Sequence, residues 1–93
     1  MNFGEAIEAI KTGRRVTRSG WNGKGMYLVL VPGSTFTVNR EPWDEIYPVG
    51  STVNYQSHID MRTAQGTIVP WVASQTDLLA EDWMTCESSA VPS

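Results

Sequence analysis

The run MYLVLV at residues 26–31 is apolar at every position, and this decides how the rest of the chain must be arranged around it. A strand with one face in water alternates apolar and polar residues, so a run with no polar side belongs where both faces are covered. Tyr27, Val29 and Val31 share one face, and Met26, Leu28 and Leu30 share the other. The run is expected to be central in a sheet, or roofed by a helix on one face and by a neighbouring subunit on the other. Pro32 and Gly33 end it.

Upstream, MNFGEAIEAIKTG at residues 1–13 reads as an amphipathic helix. Asn2 caps it, with Glu5 placed as in a capping box. Phe3, Ala6, Ile7 and Ile10 follow the i, i+3, i+4, i+7 spacing of one helical face, and Gly13 supplies a left-handed stop. That stripe needs a sheet to cover. Between helix and apolar run, RRVTRSGW at 14–21 reads as a short strand that leads into a glycine-rich turn, SGWNGKG, at 19–25.

Downstream of Gly33 the pattern weakens as far as residue 57, broken by Pro42, Pro48 and Gly50. A short strand is expected near Thr35 to Val38, then a loop carrying Trp43 and Tyr47. A loop of that length in a small domain ordinarily binds something or packs on a partner. HIDMRTAQGTIVPWVA at 58–73 returns to β character, with two strands joined by a turn near Ala64–Gln65–Gly66. In SQTDLLAEDW, at 74–83, Ser74 caps a short helix with Asp77 at the matching position, before a last strand DWMTC. The fold class expected is α+β: an N-terminal helix packed on a small antiparallel β-sheet, with a second short helix near the C-terminus. Residues 1–87 are expected to form a single domain and 88–93 a frayed tail.

With 93 residues, a single domain removes only about 60 to 65% of its unfolded surface from water, so its own core is thin. Cys86 is the only cysteine, so no intramolecular disulfide adds to it, and no cluster of Cys and His has the spacing of metal ligands. A partner subunit is the remaining source of buried area. Apolar residues make up 41% and charged residues 18%, and no apolar run approaches the ~18 residues of a membrane span. Met1 leads into helical sequence without the basic start and apolar segment of a secretory signal, so a soluble protein of a reducing cytoplasm is expected, with no membrane partner.

The net charge of -3 argues against nucleic-acid binding, which calls for a basic surface. Five of the seven basic residues nevertheless lie in the first 24 positions (Lys11, Arg14, Arg15, Arg18 and Lys24). They suit either a local anion site or a solvated helix end and strand face.

Catalysis fails on inventory. His58 is the only histidine, Cys86 reads as a small buried hydrophobe, and the pairs Asp44/Glu45 and Glu81/Asp82 are sequence neighbours that point apart. No catalytic residue, metal or cofactor is expected. The glycine-rich turn is not a phosphate loop of the Walker type, because Arg18 stands where the first glycine belongs and Gly25 where Ser or Thr should follow the lysine. What remains is a general capability: close-approaching N–H groups, a charge on Lys24, and a stacking face on Trp21. The alternative is a hairpin turn whose tryptophan packs on the core. Trp71, followed by a polar helix start from Ser74 to Asp77, is a second unusual tryptophan; its surroundings suit ribose and phosphate oxygens or ordinary capping.

Residues 1–33 and 60–83, together 57 of the 93 positions, resemble a small phage and prophage family that includes the second Thoeris anti-defence protein. The resemblance is carried by GWNGKGMYL together with PWVASQTDLLAEDW. It implies a sponge. A bacterial TIR enzyme answers infection by making a cyclic ADP-ribose isomer, and proteins of this family bind that messenger and withhold it uncleaved. It also implies a homotetramer with pockets between subunits, and in some relatives separate sites for cyclic dinucleotides.

Energetics make such binding coherent. A messenger of roughly 35 heavy atoms at about 0.3 kcal/mol per atom reaches about -10 kcal/mol, but only if most of its surface is enclosed. One shallow sheet does not enclose it, whereas two subunits closing over it do. On this reading, Trp21 is expected to stack on adenine, Asn22 to read a base edge or ribose, and the N–H groups of Gly23 and Gly25 with Lys24 to take the pyrophosphate. Trp71 forms a second wall, while Ser74, Gln75, Thr76 and Asp77 reach ribose hydroxyls from the neighbouring chain. Arg18 is a weaker phosphate ligand. The competing expectation is a phage structural or interaction protein whose aromatics only build an oligomer interface.

Overall fold

The first helix forms where its capping signals lie. In the computed structural model, which describes residues 1–22 and 24–86, α1 runs Phe3–Lys11. The Asn2 side chain accepts from the Glu5 N–H at 2.8 Å, and the Glu5 carboxylate takes the Asn2 N–H at 2.9 Å. Gly13, at φ +94°, ends it in the left-handed region. The strands that follow are β1 (Val16–Arg18), β2 (Tyr27–Val31), β3 (Ser34–Thr37), β4 (Thr52–Tyr55), β5 (His58–Arg62), β6 (Ile68–Pro70) and β7 (Trp83–Thr85). A second helix, α2 (Gln75–Leu79), lies between β6 and β7, and single 3-10 turns cover Ser19–Trp21 and Trp43–Glu45.

Five strands pair in the order β6-β5-β2-β1-β7, every neighbour antiparallel. The apolar run is therefore the middle strand, and the α+β expectation holds. Register sorts the side chains. Leu28 stands opposite Val16 and Met61, and Leu30 opposite Ile59, so these share one face. The α1 stripe covers that face: Ala6, Ile10, Val16, Leu28 and Trp83 form the buried cluster, with Phe3, Ile7, Leu30, Ile59 and Met61 packed around it. On the other face Tyr27, Val29 and Val31 stand opposite Arg62, Asp60 and His58, and all of these are only partly buried. The chain's own helix thus roofs one side of β2 only.

The segment between β2 and β5 is an arm. Its β3 and β4 pair with each other and with no strand of the main sheet. The strand expected at Thr35–Val38 is present, shifted by one residue, but its partner β4 was not foreseen. Pro48 and Gly50 break the pattern just before β4, and four residues with Asn54 among them carry little alternation. The arm makes the molecule long: the radius of gyration is 16.0 Å and the longest extent 46 Å against 27 and 25 Å, where a compact chain of this length has a radius near 12 Å. The tail expected at 88–93, and residue 87 before it, lie outside the described residues.

Candidate functional site

The register between β1 and β7 builds the site. It sets Arg18 opposite Trp83, and beside Trp83 stands Asp82. The Asp82 carboxylate takes the Arg18 Nε–H at 2.8 Å through one oxygen and the Gly20 N–H at 2.8 Å through the other. A Cβ at residue 20 would lie 2.8 Å from that second oxygen, so any other residue there would require the Asp82 carboxylate to shift. The second guanidinium arm, Arg18 Nη1, reaches Asp77 Oδ1 at 2.8 Å.

Asp77 belongs to the capping box of α2. Its other carboxylate oxygen accepts from the Ser74 N–H at 3.1 Å, and the Ser74 hydroxyl accepts from the Asp77 N–H at 3.1 Å. Both Asp77 oxygens are thus engaged within the chain. Burial pushes the Asp77 pKa up, but the Ser74 N–H and hydroxyl and the Arg18 cation outweigh it, and the carboxyl ends below the usual range. The hydrogen bond from Arg18 holds the Asp82 carboxyl low, and the same bond, opposed by burial, raises the guanidinium.

The aromatic residues converge on one indole. Trp83 is 2% exposed and donates its Nε1–H to the Asp77 carbonyl at 3.0 Å. Trp21 meets it edge to face at 5.4 Å and 78°, Trp71 at 6.2 Å and 83°, and Phe3 lies 5.5 Å away. Trp21 and Trp71 are both half-buried. Trp21 therefore packs on the core through Trp83 without being fully buried.

The sequence-derived site residues separate accordingly. Arg18, Trp21, Trp71 and Asp77 are brought together in a single chain, so the turn and the α2 start adjoin without a second copy. The guanidinium of Arg18 is given to two carboxylates, a combination of net charge -1 that does not attract phosphate. Among the residues assigned to phosphate, Lys24 is exposed and Gly25 adopts φ +73°. Asn22 is exposed and left-handed at φ 60°, while Gly23 lies outside the described residues. Gln75 and Thr76 are exposed, and the Thr76 hydroxyl is 2.9 Å from that of Ser74.

Sequence reasoning missed Asp82, Trp83 and Arg62. In the sequence Asp82 reads as half of an acidic pair and Trp83 as part of a motif. The signal for both is the pairing of β7 with β1, which puts an acid beside Arg18 across 64 residues of chain.

Elsewhere, His58 Nε2 stands 3.6 Å from Asp60 Oδ2, and its Nδ1 is 2.9 Å from the Gln56 carbonyl oxygen. An open groove of about 640 Å³ lies on the arm, lined by residues 36–43 without Val38. All its lining residues except Phe36 are exposed, so it is the concavity of one loop and does not adjoin the tryptophans. Among the described residues no three His, Cys, Asp or Glu side chains gather as a metal site, and no helix is long and apolar enough to cross a membrane.

Comparison with known proteins adds the family. Residues 1–86 match the model of the Thoeris anti-defense 2-like domain. A relative from Bacillus phage SP01, described as Thoeris anti-defense 2, is 43% identical over 86 residues, spanning 89% of this chain and 91% of the relative.

Proposed function

We propose, from the premise that this chain belongs to the Thoeris anti-defense 2-like family, that it is a phage anti-defence protein that acts as a sponge. It binds TIR-produced messengers of the glyco-cyclic ADP-ribose type and withholds them uncleaved, in the cytoplasm of the host bacterium. The observation that carries this reading is Trp21: an indole braced edge-on by the buried Trp83 at 5.4 Å, half-buried, in a turn whose next charged residue is the exposed Lys24. A braced ring loses little freedom when a purine stacks on it, and such stacking contributes about 1–3 kcal/mol. Lys24 and the N–H groups of the turn supply the attraction for a pyrophosphate.

Enclosure needs a second surface, and the reading includes a homo-oligomer, a tetramer, that provides it. Two features support this. The helix-free face of β2 keeps Tyr27, Val29 and Val31 only half-buried, and the arm exposes Trp43, Ile46, Tyr47 and Val49. Apolar area of that kind is what a second copy covers. Binding without cleavage accords with the family's anti-defence description, and cyclic dinucleotides are further candidate ligands for the same protein.

The exposed arm equally favours a second reading, an interaction protein whose aromatics only build an interface. Isothermal titration calorimetry with cyclic ADP-ribose isomers separates them. Stoichiometric heat, with intact ligand recovered after heat denaturation, supports the sponge. No heat from a stable oligomer supports the interaction protein, and altered ligand would mean hydrolysis.

A further inference from the structure

The glycine-rich turn is held at both ends, and only one end belongs to the cluster around Trp83. At its start Asp82 takes the Gly20 N–H. At its finish the Gly25 carbonyl accepts from Arg62 Nη1 at 2.9 Å. Arg62 belongs to β5 and stands opposite Tyr27 on the helix-free face, so its side chain crosses the start of β2 to reach the turn.

Gly25 is suited to this contact twice over. Its φ of +73° is one that L side chains rarely adopt, and a Cβ there would lie 2.7 Å from Arg62 Nη1. The next carbonyl is also engaged, because the Thr17 hydroxyl donates to the Met26 oxygen at 2.7 Å. The carbonyls of Gly25 and Met26 are thus both committed to donors of the chain. A carbonyl left free beside the turn would turn its partial negative charge toward any arriving phosphate and repel it.

We infer that Arg62 is a positioning residue for anion binding by this turn. It does not touch the ligand. By taking the Gly25 carbonyl it fixes the peptide that leaves the turn, so that Lys24 and the Gly25 N–H meet the phosphates without an opposing oxygen. The nature of the anion, a pyrophosphate, rests on the sponge reading; the tether itself does not.

The test uses the full chain as wild type, Arg62→Lys and Arg62→Ala. Hydrogen exchange is expected to quicken at residues 24–27 by about ten-fold or more in Arg62→Ala, as for loss of one charged hydrogen bond, with α1 and the centre of β2 unchanged. Calorimetry is expected to give a similar loss of affinity for cyclic ADP-ribose isomers and no loss for adenosine, which has no pyrophosphate. Arg62→Lys, which keeps the charge but replaces the planar fork with one ammonium nitrogen, falls between. Unchanged exchange at the turn, unchanged affinity despite faster exchange, or destabilisation spread over the whole sheet in both variants would overturn the assignment. If the wild type binds none of the probes, the sponge reading fails, and the exchange data alone decide whether Arg62 holds the turn.

Discussion

On the helix side of β2, Leu28 is 0% exposed in a cluster with Ala6, Ile10, Val16 and Trp83; on the arm, only Val38 is buried while Ile46 and Val49 stand 64% and 72% exposed. Both regions contain antiparallel strands and apolar residues. They differ in what lies against them: the body has a helix with a matching stripe, and a two-stranded ribbon by itself is marginal in water. The body is held by burial within the chain, whereas the apolar side chains of the arm stay exposed.

The largest effect that would sharpen this contrast is in the body. Leu28→Ala is expected to cost about 2–5 kcal/mol in denaturant unfolding, whereas Val49→Ser on the arm should stay within about 0.5 kcal/mol in dilute, unassembled protein. Comparable costs at both positions would mean the arm is as well covered as the body, and the comparison would break.

The next effect concerns ligand. Trp21→Ala is expected to weaken binding of cyclic ADP-ribose isomers by about 1–3 kcal/mol, roughly 5- to 150-fold, while the chain remains folded and its oligomer intact. Trp43→Ala on the arm should leave that affinity unchanged. Calorimetry paired with size-exclusion chromatography reads both, and an unfolded Trp21 variant would mark the indole as core alone.

A smaller effect is expected at the α2 cap, where Ser74→Ala removes the acceptor for the Asp77 N–H and should lower stability by about 1 kcal/mol. The acid limb of stability offers the finest distinction. Asp77 and Asp82 both sit below the ordinary carboxylate range, so their contribution is present above the unfolded value, about pH 4, and is lost as pH falls through their folded values. Denaturation midpoints from pH 5 down to 2 should fall less steeply for Asp82→Asn than for wild type. An identical slope would show that the Arg18 pair does not stabilise the body.

Much of the fold was legible from the chain, and for a local reason. The capping boxes at Asn2–Glu5 and Ser74–Asp77, the α1 stripe, and the central place of residues 26–31 each follow from residues close in sequence or from one strand's own alternation. Strand β4 was not, because four residues after a proline and a glycine carry too short a pattern. The candidate site was half legible. Trp21 and Trp71 could be picked out as unusual, but that both rest on Trp83 could not.

The sequence by itself determined where α1, α2 and the strands other than β4 form, which face of α1 is apolar, and that β2 lies in the interior of the sheet. Only tertiary structure decided that Arg18 is spent on Asp77 and Asp82, that Arg62 closes the turn, and that the turn and α2 adjoin in one chain. The physical reason is range. Caps and periodicity act within about a turn of helix, whereas these contacts join residues 37 to 64 apart and exist only once strand register has set which side chains face each other.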